Sequence, residues 1–164
     1  MINMAVGQPA SANSAPSKLA RRAGMVYASH LNGFHMHQHI QPIRVRYDEC
    51  DPMGFVHHSH YLKYFEIART EMYRASGGNY RDFEASGLFV VVVRVECQYR
   101  LPARYDDLLS IRASIQRMTE AKIIHDYSVE RDAQQLVTAQ VTLAVIDRTG
   151  KPQRIPESLR SSKD

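Results

Sequence analysis

Residues 44–74 read RVRYDECDPMGFVHHSHYLKYFEIARTEMYR, and the spacing of apolar side chains changes period inside this one stretch. At its start Val45 and Tyr47 continue an alternation begun at Ile43, with Arg44, Arg46 and Asp48 between them. Period two marks a strand with one buried face and predicts a strand from Ile40 to about Asp48. From Ser59 to Ser76 the apolar Tyr61, Tyr64, Phe65, Ala68, Met72 and Ala75 recur at intervals of three and four, which predicts one long helix stopped by Gly77-Gly78. Between them lies a loop holding Asp51, Gly54, His57 and His58. A helix apolar over so wide a face must lie against a sheet.

That sheet is legible downstream. Leu88 to Leu101 opens with an apolar run and then sets Val93, Val95, Cys97, Tyr99 and Leu101 against Arg94, Glu96, Gln98 and Arg100, the pattern of a long central strand. Leu109, Ile111, Ala113 and Ile115 alternate with polar neighbours; after Met118-Thr119-Glu120-Ala121 the alternation resumes at Ile123, His125, Tyr127 and Val129, which predicts a hairpin. The last strand places Val137, Ala139, Val141, Leu143 and Val145 on one face and ends at Asp147-Arg148-Thr149-Gly150. Short connections force antiparallel neighbours. The expected class is α+β: one long helix packed against an antiparallel sheet of about five strands, with no internal repeat.

A length of 164 residues with 44% apolar content suits a single domain with its own core. Residues 1–38, rich in Ala, Ser, Gly and His and without periodicity, read as a flexible leader, and residues 39–160 as the folded domain. The leader resembles an organellar transit peptide in lacking acidic residues; Met25 and Met36 equally suit a later translation start. No apolar run approaches the roughly 18 residues of a membrane span. Cys50 and Cys97 fit neither a metal knuckle nor a disulfide scaffold, which points to a cytoplasmic protein.

The net charge of +4 favours an anionic partner. No basic run alternates with aromatics, so nucleic acid is set aside in favour of a phosphate-bearing small molecule. His35, His37, His39, His57, His58 and His60 lack Cys or carboxylate partners at ligand spacing, so no metal site is expected. Glu66 and Arg69, three apart, are expected to pair on the helix. An Asp-Pro pair followed by Gly is in isolation a turn. What changes its weight is position, because a carboxylate beside a helix start stands next to free N–H groups and the positive dipole end, where charge developing on a carbonyl oxygen is stabilised.

At this loop the sequence resembles a known family. Cys50-Asp51, Gly54, Val56, His58 and Tyr61, followed by Tyr64-Phe65-Glu66 and Ala68-Arg69-Thr70, are similar to the active-site signature of the 4-hydroxybenzoyl-CoA thioesterase family. The likeness continues through Pro102-Ala103-Arg104-Tyr105-Asp106-Asp107 and Ile155-Pro156-Glu157, covering about Ile40 to Leu159; Phe55 departs from the family's usual Ile or Val. The resemblance implies a hotdog fold, a curved sheet around the one long helix, and hydrolysis of acyl-CoA to free acid and coenzyme A without cofactor. It assigns catalysis to Asp51, as nucleophile or general base, and to His58, through its backbone N–H. The expected substrate-binding residues are Gly54, Phe55, His57 and Tyr61 in the loop and helix, with Arg104 and Lys122 toward the coenzyme A phosphates. Thr119, Glu120 and Ala121 interrupt the basic cluster some members carry at that hairpin. Family members are homodimers or homotetramers, so a homo-oligomer acting on acyl-CoA, or on acyl carrier protein, is expected. The competing reading is a hotdog module that binds acyl-CoA or acyl carrier protein without turnover.

Overall fold

The computed structural model describes residues 38–160. The leader expected over residues 1–38 lies outside the described residues, apart from Gln38, which opens the first strand. That strand, β1 (Gln38–Arg44), is followed by helix α1 (His60–Ala75), helix α2 (Tyr80–Ala85) and strand β2 (Leu88–Tyr99). Strands β3 (Leu108–Met118), β4 (Lys122–Arg131) and β5 (Gln134–Asp147) come next, then the short β6 (Pro152–Gln153) and α3 (Glu157–Arg160). The sheet is antiparallel with order β1-β3-β4-β5-β2, and β6 pairs with β5.

Register explains why one face is a core. Ile111 pairs with Val129, Val129 with Val137, and Val137 with Tyr99, so side chains of the same parity stack across four strands. Helix α1 packs on this face over β1 and β3. It buries Tyr61, Tyr64, Phe65, Ala68 and Met72, and the Phe65 ring lies 4.7 Å from that of Tyr127. Burying each large side chain stabilises by about 1.5–3 kcal/mol. The helix stops as expected: Gly77, at φ 83°, donates its N–H to Arg74 O, and Gly78 N–H reaches Tyr73 O, which satisfies last-turn carbonyls in a conformation that favours glycine.

Two expectations need correction. The first strand ends at Arg44, not Asp48: Val45 N–H leaves the ladder to bond Asp107 O, and Tyr47–Glu49 form a 3-10 turn that leaves Tyr47 81% exposed. The segment from Leu88 is not central but the last strand of the sheet, bulged between Val92 and Arg94. An alternating pattern reports a strand with one apolar face and says nothing of how many neighbours it has. The sheet of about five strands is present as expected, and Pro152–Gln153 adds to it a two-residue ladder that no periodicity could reveal. The Glu66–Arg69 pair is present at 3.9 Å.

Candidate active site

The loop after the 3-10 turn is closed by backbone bonds before any side chain acts. Cys50 and Val56 form a bridge, Asp51 N–H donates to Phe55 O at 2.8 Å, and Gly54 N–H donates to Asp51 O at 2.9 Å. Gly54 sits at φ +75°, which this tight return requires. Within the loop Asp51 Oδ1 accepts the N–H groups of Met53 (2.9 Å) and Phe55 (3.2 Å). The carboxylate is thereby fixed in orientation, half-buried, with Oδ2 outside both bonds.

The far side of the loop leads straight into α1. His57 N–H bonds Glu49 O (2.9 Å), Val56 N–H bonds Ala103 O (2.9 Å), and His60 N–H closes on His57 O. Ser59, the cap residue, makes no side-chain cap bond, and the N–H of His58 takes no hydrogen bond among the described residues. The start of α1 therefore presents unspent backbone donors next to the Asp51 loop. A carboxylate oxygen on one side and peptide N–H groups on the other can divide the work on a carbonyl: attack at carbon, stabilisation at oxygen.

Several expected residues meet here. The His57 and His58 rings lie 4.2 Å apart, both exposed, and His57 Nδ1 is 2.8 Å from Ser59 Oγ. The Arg104 guanidinium lies 4.5 Å over the Phe55 ring, and its nearest nitrogen would be 3.9 Å from a Cβ on Gly54. Arg104 is held by its backbone: its N–H donates to Asp107 Oδ2 (2.8 Å), which also accepts Arg131 Nη1 (2.6 Å). Tyr61 is in the core instead of facing open space, 2% exposed, its hydroxyl accepting Ala103 N–H at 3.3 Å. Lys122 is not brought to this group. It lies at the opposite end of β4 from Arg131, roughly 30 Å away along a ten-residue strand.

Two residues that the sequence did not single out also belong to this end of the sheet. Tyr99, at the end of β2, donates its hydroxyl to His58 O (3.3 Å) and packs edge-on to Tyr61. Glu49 receives the buried Tyr64 hydroxyl on Oε2 at 2.7 Å. No sequence signal ties a strand end to a helix start dozens of residues away. Burial raises the pKa of Tyr61 and, with the Glu49 bond second, of Tyr64; burial also raises Tyr99 and the Cys97 thiol. These groups stay protonated at neutral pH, so they serve as neutral hydrogen-bonding walls. Two hollows in the described surface lie elsewhere, one on the polar sheet face around Arg112 and Asp126, the other beside α2. Asp51 lines neither of them.

Comparison with known proteins gives the family. Residues 45–162 match the thioesterase-like superfamily. The acyl-CoA thioester hydrolase YbgC of Escherichia coli O6:H1 is 31% identical over 120 residues, spanning 72% of this chain and 90% of that protein. The crystal structure of the Bartonella henselae "Probable Thioesterase" superposes with a TM-score of 0.69 at 36% identity, covering 73% of this chain and 99% of that one. The 4-hydroxybenzoyl-CoA thioesterase, at 19% identity, shares the fold with a TM-score of 0.72 over 77% of this chain and 99% of its own. With Asp51 and the open start of α1 in the matched region, the chain belongs to the thioesterase-like superfamily and carries its hotdog fold.

Proposed function

We propose that the chain hydrolyses acyl-CoA thioesters to free acid and coenzyme A, with Asp51 as the working carboxylate and the His58 N–H as the donor to the thioester oxygen. The observation that carries this reading is the Asp51 carboxylate, oriented by two peptide N–H groups beside an uncapped helix start. Relatives named acyl-CoA thioester hydrolases, 31% identical over most of their length, support the substrate class. Two routes use the same atoms. In one, a carboxylate oxygen adds to the thioester carbon, the C–S bond breaks, coenzyme A leaves as thiolate, and water hydrolyses the resulting anhydride. In the other, Asp51 takes a proton from water as the water oxygen adds to that carbon, the C–S bond then breaks and coenzyme A leaves as thiolate. In both, negative charge collects on the carbonyl oxygen, where the His58 N–H and the helix dipole act.

Phe55 and the apolar start of β2 favour an aliphatic or small aromatic acyl group over a dicarboxylic one. Gly54 lets backbone approach the substrate, and the exposed His57 and His58 rings are its neighbours. Arg104, exposed above Phe55, suits a coenzyme A phosphate. Lys122 and the walls missing from a single chain would come from a second copy, so the working form is a homodimer or homotetramer whose contact includes the open edge of β2. Acyl carrier protein remains an alternative carrier of the acyl group. Two free cysteines suit the reducing cytoplasm in which we place the protein.

Asp51→Asn keeps size and removes the negative oxygen. Steady-state hydrolysis of a panel of acyl-CoAs, followed by free thiol, should show kcat lowered about 10²- to 10⁴-fold with affinity little changed. His58→Ala should lose far less, because alanine keeps the backbone donor. An Asp51→Asn protein that folds and turns over within a few-fold of wild type would sink the assignment and favour a binding module.

A further inference from the structure

The geometry points to Glu49 as a positioning residue that sets the distance between the Asp51 carboxylate and the His58 N–H. The inference rests on the proposed role of those two groups. Glu49 is two residues before Asp51 and is held at three points. Its Oε2 accepts the Tyr64 hydroxyl and the Arg46 N–H, each at 2.7 Å, and its carbonyl accepts the N–H of His57, the residue before His58, at 2.9 Å. Tyr64 is 1% exposed on α1. One residue thus ties the entry to the Asp51 loop and the helix through its side chain, and the loop exit through its backbone carbonyl.

Each bond has a separate reason. A phenol hydroxyl buried to that degree needs an acceptor, and Glu49 is the one it has. The Arg46 N–H is an orphan of the 3-10 turn and is capped by the same oxygen. The Glu49 carbonyl joins the two ends of the loop next to the Cys50–Val56 bridge. Without the carboxylate, the loop keeps its backbone bonds, that of the Glu49 carbonyl to His57 among them, and so the shape around Asp51, but loses its side-chain anchor to Tyr64 of α1. What moves is the loop relative to the helix start, which is the separation that matters when one group attacks a carbon and the other stabilises its oxygen. A displacement of about 1 Å at such a site is worth up to about 10²-fold in rate.

The hydrogen bonds of the Glu49 carboxylate go to Tyr64 and Arg46, neither of them a proposed substrate-binding residue, so substrate affinity should be spared when it is removed. Steady-state kinetics on the full chain separate the possibilities. Glu49→Ala should lower kcat about 10- to 100-fold with KM changed less than about threefold. Glu49→Gln, which keeps an acceptor oxygen in place, should return to within a few-fold of wild type. Tyr64→Phe, isosteric and apolar, should lose about 3- to 30-fold in kcat, and the Glu49→Ala/Tyr64→Phe pair should be no worse than Glu49→Ala alone. If the Ala variant does not fold, Tyr64→Phe decides alone by its kcat. Loss in Glu49→Gln equal to that in Glu49→Ala would overturn positioning, because charge would then be the active property. Activity within twofold in every Glu49 and Tyr64 variant, with Asp51→Asn dead, overturns the inference and leaves Asp51 standing. An active Asp51→Asn protein removes the reading beneath it.

Discussion

Strands β5 and β2 run side by side and are both apolar on the same face, yet one is covered and the other is open. Val137, Val141 and Leu143 in β5 are at most 3% exposed, while their register partners Tyr99, Val95 and Val92 in β2 are 49%, 37% and 51% exposed. Composition does not separate them; position does. β5 has a strand on either side, whereas β2 is the last strand and α1 lies over β1 and β3 at the other side of the sheet. An apolar row beside unpaired N–H and C=O groups invites another chain, and in the proposed oligomer a second copy supplies it. The same strand ends at Tyr99 against His58, so whatever covers β2 comes close to the site.

Three measurements would break or sharpen that contrast. The largest effect belongs to the covered strand. Leu143→Ala leaves a cavity at a fully buried position and should cost about 2–5 kcal/mol in urea unfolding. A loss below about 1 kcal/mol would mean that β5 is not covered as described.

Next comes acid sensitivity of the covered face. His125 is 3% exposed, and burial, followed by the nearby Arg69 charge, pushes its pKa down to about 3. The unfolded chain's His protonates near its ordinary value of about 6.5, so between there and about 3 the unfolded state binds the extra proton. This contribution is fully present above that ordinary value and declines as pH falls, by at most about 1.4 kcal/mol per pH unit. His125→Gln should remove that slope. A wild-type-minus-variant difference that does not change between about pH 7 and pH 4 would show a hydrated, freely titrating ring.

The smallest effect on the chain's own fold is expected at the open edge. Asp at both Val92 and Val95 should change its intrinsic stability by less than about 0.5 kcal/mol, as for exposed positions. In light scattering it should nonetheless shift the protein from an oligomer to the 18.7 kDa chain, with the far-ultraviolet spectrum kept. An oligomer that survives two carboxylates on this row is built on another surface.

The elements were largely legible because they are local. The three-and-four spacing from Tyr61 to Met72 marked α1 to within a residue at each end, and the alternations through Ile111, Tyr127 and Val141 marked β3, β4 and β5. Helix α2 was missed because its six residues bury a single Phe83 and are too short to show a period. Tyr47 was misassigned because its alternation with Arg46 and Asp48 continues one residue pair past the point where Val45 turns to Asp107. The loop was legible as a site only through the joint pattern from Cys50 to Thr70, since Asp-Pro-Met-Gly alone is also a turn.

By itself the sequence determined which residues form α1, β3, β4 and β5, which side of each is apolar, and that Asp51 stands just before the start of a buried helix. Tertiary structure alone decided that β2 is an edge, that Tyr99 meets His58, that Glu49 reaches Tyr64, and that Arg104 sits over Phe55 while Lys122 is a strand's length away. The reason is range. Periodicity records what one segment must bury, set by backbone geometry over a few residues. Which segment lies opposite is set by sheet register and helix packing between residues far apart in the chain, and those leave no mark in local spacing.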